Sequence, residues 1–91
     1  MFYAISYDIR DDRRRLKVAK ILEDFGDRVQ LSVFEARLEA GDLERLQRRL
    51  AEQVNLEEDS LRFYRLCAAC VPRVEVLGQA QVTQEPDFII I

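Results

Sequence analysis

The sequence predicts an α+β domain with two helices on one face of an antiparallel sheet. Three observations lead there. Strand and helix patterns alternate in the order strand, helix, strand, strand, helix, strand. Each helical pattern carries a single apolar stripe, so each covers one surface. The strands are short and partly alternating, the pattern of a sheet buried on one side. That order is a ferredoxin-like βαββαβ arrangement. The expected domain spans residues 1–78, and 79–91 form a C-terminal extension.

The first strand is Phe2-Tyr3-Ala4-Ile5-Ser6-Tyr7-Asp8. Residues two apart share a face of a sheet. Tyr3, Ile5 and Tyr7 therefore belong under the helices, while Ala4, Ser6 and Asp8 point to the open side. Directly after it come Arg10 and Asp11-Asp12-Arg13-Arg14-Arg15, opening a helix over 13–25. Asp11 or Asp12 can cap its start, and Gly26 can end it as a left-handed residue. Val18, Ile21, Leu22 and Phe25 recur at helical spacing and form the buried stripe. The charges oppose the helix dipole, with Arg13, Arg14, Arg15 and Lys17 early and Glu23 and Asp24 late. Each misplaced charge costs roughly 0.3–1 kcal/mol when exposed. One reading is a helix holding positive charge for a ligand. The other is a solvated face paired with Asp11 and Asp12.

Residues 28–39 are extended. Val33 and Phe34 break the alternation, so a bulge or bend near Ser32 to Phe34 should divide them into two strands. Gly41-Asp42 opens a second helix, with Leu43, Leu46, Leu50 and Val54 as its stripe. Arg45, Arg48 and Arg49 lie outside it, either paired with acids such as Glu44 and Glu52 or along a nucleic-acid backbone. Glu57-Glu58-Asp59 is an acidic turn before a strand over 60–66. Val74 to Leu77 is expected as a further short strand ended by Gly78. The apolar Phe88-Ile89-Ile90-Ile91 should be buried in the chain's own core or against a partner.

Composition narrows the function classes. With 91 residues, 48% of them hydrophobic and 34% charged, the chain should be one folded, soluble domain with a limited core. No apolar run approaches the roughly 18 residues a membrane span needs. The start lacks the pattern of a secretory leader, so a cytoplasmic setting with no membrane role is expected. The net charge of −3 argues against a general polycation, although 12 of the 14 basic residues are arginine, suited to planar phosphate contacts. There is no histidine, which removes histidine-based triads and most zinc sites. Cys67 and Cys70 are the whole cysteine complement, too few for a tetrahedral site within one chain. Pro72 opposes the helix that a thioredoxin-like motif would place there, so reduced thiols near a strand end are expected.

Asp8 is the leading candidate for chemistry. A sheet with one uncovered face suits a symmetric dimer, which would bring two copies of Asp8 near the two-fold axis. Two such carboxylates repel unless they share a proton or a cation. Mg²⁺ or Mn²⁺ suits oxygen ligands and offsets charge on a phosphodiester. The structural alternative is that Asp8 caps the turn or the following helix. Among the aromatics, Phe34 is singled out for base stacking, because it sits at the break in alternation beside Arg28 and Gln30.

Together Tyr7-Asp8-Ile9, Asp11-Asp12-x-Arg14-Arg15-x-Lys17-Val18-x-Lys20-x-Leu22 and Gly26-x-Arg28-Val29-Gln30-x-Ser32-Val33-Phe34-Glu35 carry a resemblance. So do Asp59-Ser60-x-Arg62-x-Tyr64 and the segment around Cys67. Over about residues 2–78 the chain resembles the second core adaptation protein family of CRISPR-Cas systems. The resemblance implies a ferredoxin-like homodimer whose C-terminal strand joins the partner subunit's sheet. It implies a role in spacer acquisition, binding duplex DNA and bridging two dimers of a partner integrase. It also implies a metal-dependent endonuclease acting on single-stranded RNA or duplex DNA. The resemblance places Asp8 as catalytic residue and Mg²⁺ or Mn²⁺ ligand at the dimer interface, with Arg14, Arg15, Arg28 and Phe34 nearby on nucleic acid. Two other readings stand beside it: a ribonuclease toxin similar to the VapD group, and a non-enzymatic regulatory module of the same fold.

Overall fold

The computed structural model describes residues 1–78. The expected C-terminal extension and its terminal strand lie outside the described residues. The elements run β1 (Phe2–Asp8), α1 (Asp12–Glu23), β2 (Asp27–Gln30), β3 (Val33–Arg37), α2 (Ala40–Ala51) and β4 (Ser60–Leu66), followed by a short 3-10 helix over Val71–Arg73. The four strands form one sheet in the order β2-β3-β1-β4, and the paired strands are antiparallel. This is the ferredoxin-like α+β fold.

β1 is central, hydrogen-bonded to β3 on one side and β4 on the other. Ile5 lies opposite Phe34 on β3 and Phe63 on β4, so three large side chains meet on the helix-covered face. Tyr3, Ile5 and Tyr7 are buried there, with Phe34 and Ala36 of β3. Val18, Ala19, Ile21 and Leu22 of α1 and Leu46 and Leu50 of α2 close over them. Phe25, Leu43, Val54, Leu61 and Phe63 pack around the margin. Val18, Ile21 and Leu22 of α1 and Leu43, Leu46 and Leu50 of α2 lie in the expected stripes, while Phe25 and Val54 pack on the core from just beyond the helix ends.

Several boundaries differ, each for a physical reason. Asp11 is the N-cap of α1, its side chain accepting from the Arg14 backbone N–H at 2.9 Å. Gly26 does not end α1 in a left-handed conformation; among the described residues only Gly78 has positive φ. Gly26 is required by crowding instead. A Cβ there would lie 2.3 Å from the Glu35 carbonyl oxygen and 2.7 Å from the Ala36 Cβ. α2 starts ahead of the expected Gly41-Asp42 cap, with Glu39 as its N-cap. Asp42 reaches back to accept from the Glu39 N–H at 3.3 Å.

The 28–39 run is split as expected, but by a turn at Leu31-Ser32. The irregularity in the ladder falls at Val29, between the Arg28–Phe34 and Gln30–Val33 pairs. Val33 and Phe34 then alternate normally, Val33 outward and Phe34 inward. The expected strand over Val74 to Leu77 is not part of the sheet. After Leu66 the chain makes a helical turn, with the Cys70 and Val71 N–H groups both donating to the Cys67 carbonyl. Such a turn continues into the 3-10 helix rather than reversing beside β4. Leu77 is left 99% exposed.

Candidate metal and phosphate site at the end of beta strand 1

Asp8 is the last residue of the central strand, opposite Ser60 at the start of β4. It is exposed, and among the described residues its carboxylate has no hydrogen-bond or ion-pair partner. It does not cap α1, since Asp11 holds that position. An unpaired, water-facing carboxylate is a hard oxygen donor.

Two arginines converge on the same open depression. Arg15 projects from the first turn of α1, and its Nη1 donates to the Ile9 carbonyl at 2.9 Å, while Nη2 pairs with Asp12. Arg28 projects from β2, its guanidinium 5.3 Å from the centroid of the Phe34 ring. Arg28 also donates to the Tyr7 hydroxyl at 3.4 Å, and that hydroxyl donates to the Leu31 carbonyl at 3.2 Å. Asp8, Arg15, Arg28, Leu16, Leu31 and Ser32 line this depression. Leu16 and Leu31 are 63% and 83% exposed, so its rim is apolar.

Asp8, Arg15 and Arg28 are thus brought together, whereas Arg14 and Phe34 take other roles. Arg14 is turned toward the α2–β4 connection. Its Nε and Nη2 donate to the two Asp59 carboxylate oxygens at 2.9 and 3.2 Å, and Nη2 also reaches Glu58 at 3.0 Å. The Asp59 side chain is fully covered and also accepts from the Asn55 N–H at 2.8 Å. The Arg14 bonds, then the backbone donors, hold the Asp59 carboxyl below its usual range. With its fork so occupied, Arg14 ties α1 to the turn before β4. Phe34 is 0% exposed and cannot stack on a base from this position. It supports Arg28 from beneath.

The first-turn arginines therefore divide between the two sequence readings. Arg15 lines the depression while pairing with Asp12, and Arg14 is held by Glu58 and Asp59. Along α2, Arg45 pairs with Asp42, Arg48 with Glu44 and Arg49 with Asp24. Those pairs favour the solvated reading of the outer face.

Sequence reasoning missed the Tyr7 hydroxyl, which joins β1, the hairpin turn and Arg28. A tyrosine in the last inward position of a strand was the available signal, because its polar tip reaches the edge of the core. It also set Tyr64 aside, expecting the strand aromatics other than Phe34 to be core. On the open face, Ala4 lies opposite Tyr64 and Ser6 opposite Arg62. Tyr64 is 49% exposed and accepts from Arg62 at 3.2 Å. Among the described residues the exposed aromatic is therefore Tyr64.

Among the described residues no group of three or more acids or cysteines converges to hold a cation. A single carboxylate still fits Mg²⁺, which binds through one or two carboxylates and keeps water and phosphate oxygens as its other ligands.

The fold, with an exposed acid at the end of its central strand, defines a small α+β protein of the ferredoxin-like class. Residues 1–74 match the family described as CRISPR associated protein Cas2. A Chloroflexus aurantiacus relative named CRISPR-associated endoribonuclease Cas2 1 is 52% identical, covering 100% of this chain and 99% of its own. The crystal structure of Streptococcus pyogenes Cas2 is 35% identical with a TM-score of 0.77, covering 86% of this chain and 100% of that one. A chain of a partial Cas6-RT-Cas1–Cas2 complex is 34% identical with a TM-score of 0.67, covering 84% and 89%. The chain belongs to the Cas2 family.

Proposed function

We propose that this protein is a CRISPR adaptation subunit that binds duplex DNA, bridges a partner integrase and cleaves phosphodiesters in a metal-dependent reaction. One observation carries the reading: Asp8, Arg15 and Arg28 line one depression at the end of β1. That combination offers an oxygen ligand for a cation beside two planar donors for phosphate oxygens. The names of relatives support a nuclease, and the structural neighbour found in a Cas1–Cas2 complex supports an integrase partner.

The working form is a homodimer joined through the open sheet face. Asp8 shares that face with Ala4 and Ser6, so a two-fold contact would place both Asp8 side chains at its rim. Asp8 of each subunit would hold Mg²⁺ or Mn²⁺, with Arg15 and Arg28 orienting the nucleic-acid backbone. The bound cation would supply charge neutralisation at the scissile phosphate and favour the ionised form of water. Substrates of this site are RNA or duplex DNA. No helix among the described residues is long and apolar enough to cross a membrane.

The test is cleavage of single-stranded RNA and of duplex DNA by wild type and Asp8→Ala, both verified as dimers, with Mg²⁺, Mn²⁺ or EDTA. Wild-type cleavage should vanish in EDTA and fall roughly 100-fold or more in Asp8→Ala, the scale expected for losing a metal ligand. Equal cleavage by the two proteins, or none by wild type, would leave a DNA-bridging scaffold in which Asp8 has no chemical role.

A further inference from the structure

Cys67 and Cys70 lie at the end of the sheet remote from Asp8. Leu66, the residue before Cys67, pairs with Phe2 at the start of β1, whereas Asp8 pairs with Ser60. The site at Asp8 therefore makes no use of them. Both cysteines are exposed. Their sulfurs are 3.3 Å apart. The turn that joins them is fixed by two hydrogen bonds to the Cys67 carbonyl, from the Cys70 N–H at 2.9 Å and the Val71 N–H at 3.1 Å. The Arg73 N–H then donates to the Cys70 carbonyl, and Pro72 stiffens the following 3-10 helix. The backbone thus holds the two sulfurs near each other before any bond forms. A disulfide needs about 2.05 Å between sulfurs, an approach within reach of side-chain rotation.

The two thiols are electronically unequal. The Cys70 thiol, then the backbone N–H groups of Cys70 and Ala69, hold the Cys67 thiol below its ordinary range. Proximity to Cys67 raises the Cys70 thiol. Two exposed thiols 3.3 Å apart, one of them with backbone N–H donors around its sulfur, are the arrangement of an attacking and a resolving cysteine.

We propose that Cys67 and Cys70 are a reactive dithiol that exchanges with small-molecule disulfides of the glutathione class, closing an intramolecular disulfide in the turn after β4. Cys67 Sγ attacks one sulfur of the small disulfide. Its S–S bond breaks, one glutathione leaves as thiolate and takes up a proton, and a mixed disulfide forms on Cys67. Cys70 then loses its proton and attacks Cys67 Sγ, displacing the second glutathione. Two protein thiols are oxidised to one disulfide, and one small disulfide is reduced to two thiols.

Incubation of the full chain with oxidised glutathione, followed by acid quench and intact mass, tests this. Wild type should end as an internal disulfide with no glutathione retained. Cys70→Ser should stop with one glutathione on Cys67, because the resolving sulfur is gone. Cys67→Ser should react several-fold more slowly than Cys70→Ser, since of the two thiols Cys67 is the one that keeps the backbone N–H donors of Cys70 and Ala69 when its partner is removed. Retention of glutathione by wild type, equal rates for the two variants, or disulfides between chains instead of within one would each overturn the assignment.

Discussion

Tyr7 shows how a core residue can set the geometry of a polar site. Its ring packs against Phe34, with centroids 6.2 Å apart, while its hydroxyl bonds Leu31 and receives Arg28. Tyr7→Phe keeps the packing and removes the bonds. Stability should fall by about 1 kcal/mol, the usual net worth of such a hydrogen bond. Affinity for nucleic acid should fall with it, because Arg28 loses its anchor. A binding titration beside a denaturant melt checks this, and an unchanged affinity would mean that the Phe34 ring alone positions Arg28. Asp59 makes a prediction about pH. An acid whose folded pKa lies below its ordinary 3.8 stabilises the fold above that value, and this contribution is lost as pH falls through the folded pKa. Asp59→Asn should therefore melt roughly 5 °C or more below wild type at neutral pH, and the gap should close below about pH 4. A gap that stays constant down to pH 2 would show that Arg14 contributes nothing through charge. At this scale the placing of Asp8, Arg15 and Arg28 around one end of β1 was legible, because strand-end position and clustered arginines are written along the chain. The engagement of Arg14 by Asp59 was not, since its partner lies 45 positions away.

The elements were read more fully than their ends. Spacing alone identified the stripes Val18-Ile21-Leu22 and Leu46-Leu50, because burial enforces the helical period. The strand over 60–66 was also found with its bounds, since alternation and the acidic turn frame it. Phe34 was misread because a break in alternation looks the same whether it comes from a bulge or from a hairpin turn. With the turn at Leu31-Ser32 the period restarts, and Phe34 falls on the inner face beside Ile5. Gly26 was misread for a related reason. A glycine after a helix suggests a left-handed cap, but the constraint here comes from β3, which no local pattern reveals. Gly26→Ala should cost about 1–3 kcal/mol, as overpacking does, because its Cβ meets backbone at 2.3 Å. The neighbouring Gly41, with open space at its Cβ, is the control: Gly41→Ala inside α2 should be neutral or stabilising. Equal effects of the two substitutions in thermal melts would remove the crowding argument.

At the scale of the whole molecule, the two faces of the sheet are unequal. One is sealed by α1 and α2. The other carries Ala4, Ser6, Val33, Arg62 and Tyr64 with no described element over it. At one end Arg37 stacks on Phe2, 5.3 Å from the ring centroid, and covers it. Tyr64 is the large aromatic left partly exposed on this face, and aromatic residues of this kind anchor interfaces. Tyr64→Asp should leave the fold intact, since the side chain is half in water, and should weaken the proposed homodimer roughly 100-fold or more by removing its aromatic anchor. Sedimentation across a dilution series measures the dimer, and circular dichroism confirms the fold. If the metal site requires both copies of Asp8, the monomeric variant should also lose metal-dependent cleavage although its own Asp8 is intact. Cleavage retained by a monomer would place the whole reaction within one chain, with Arg15 and Arg28 sufficient beside a single carboxylate. A variant that stays dimeric would mean that the two-fold contact uses another surface, and the paired-carboxylate site would fall with it.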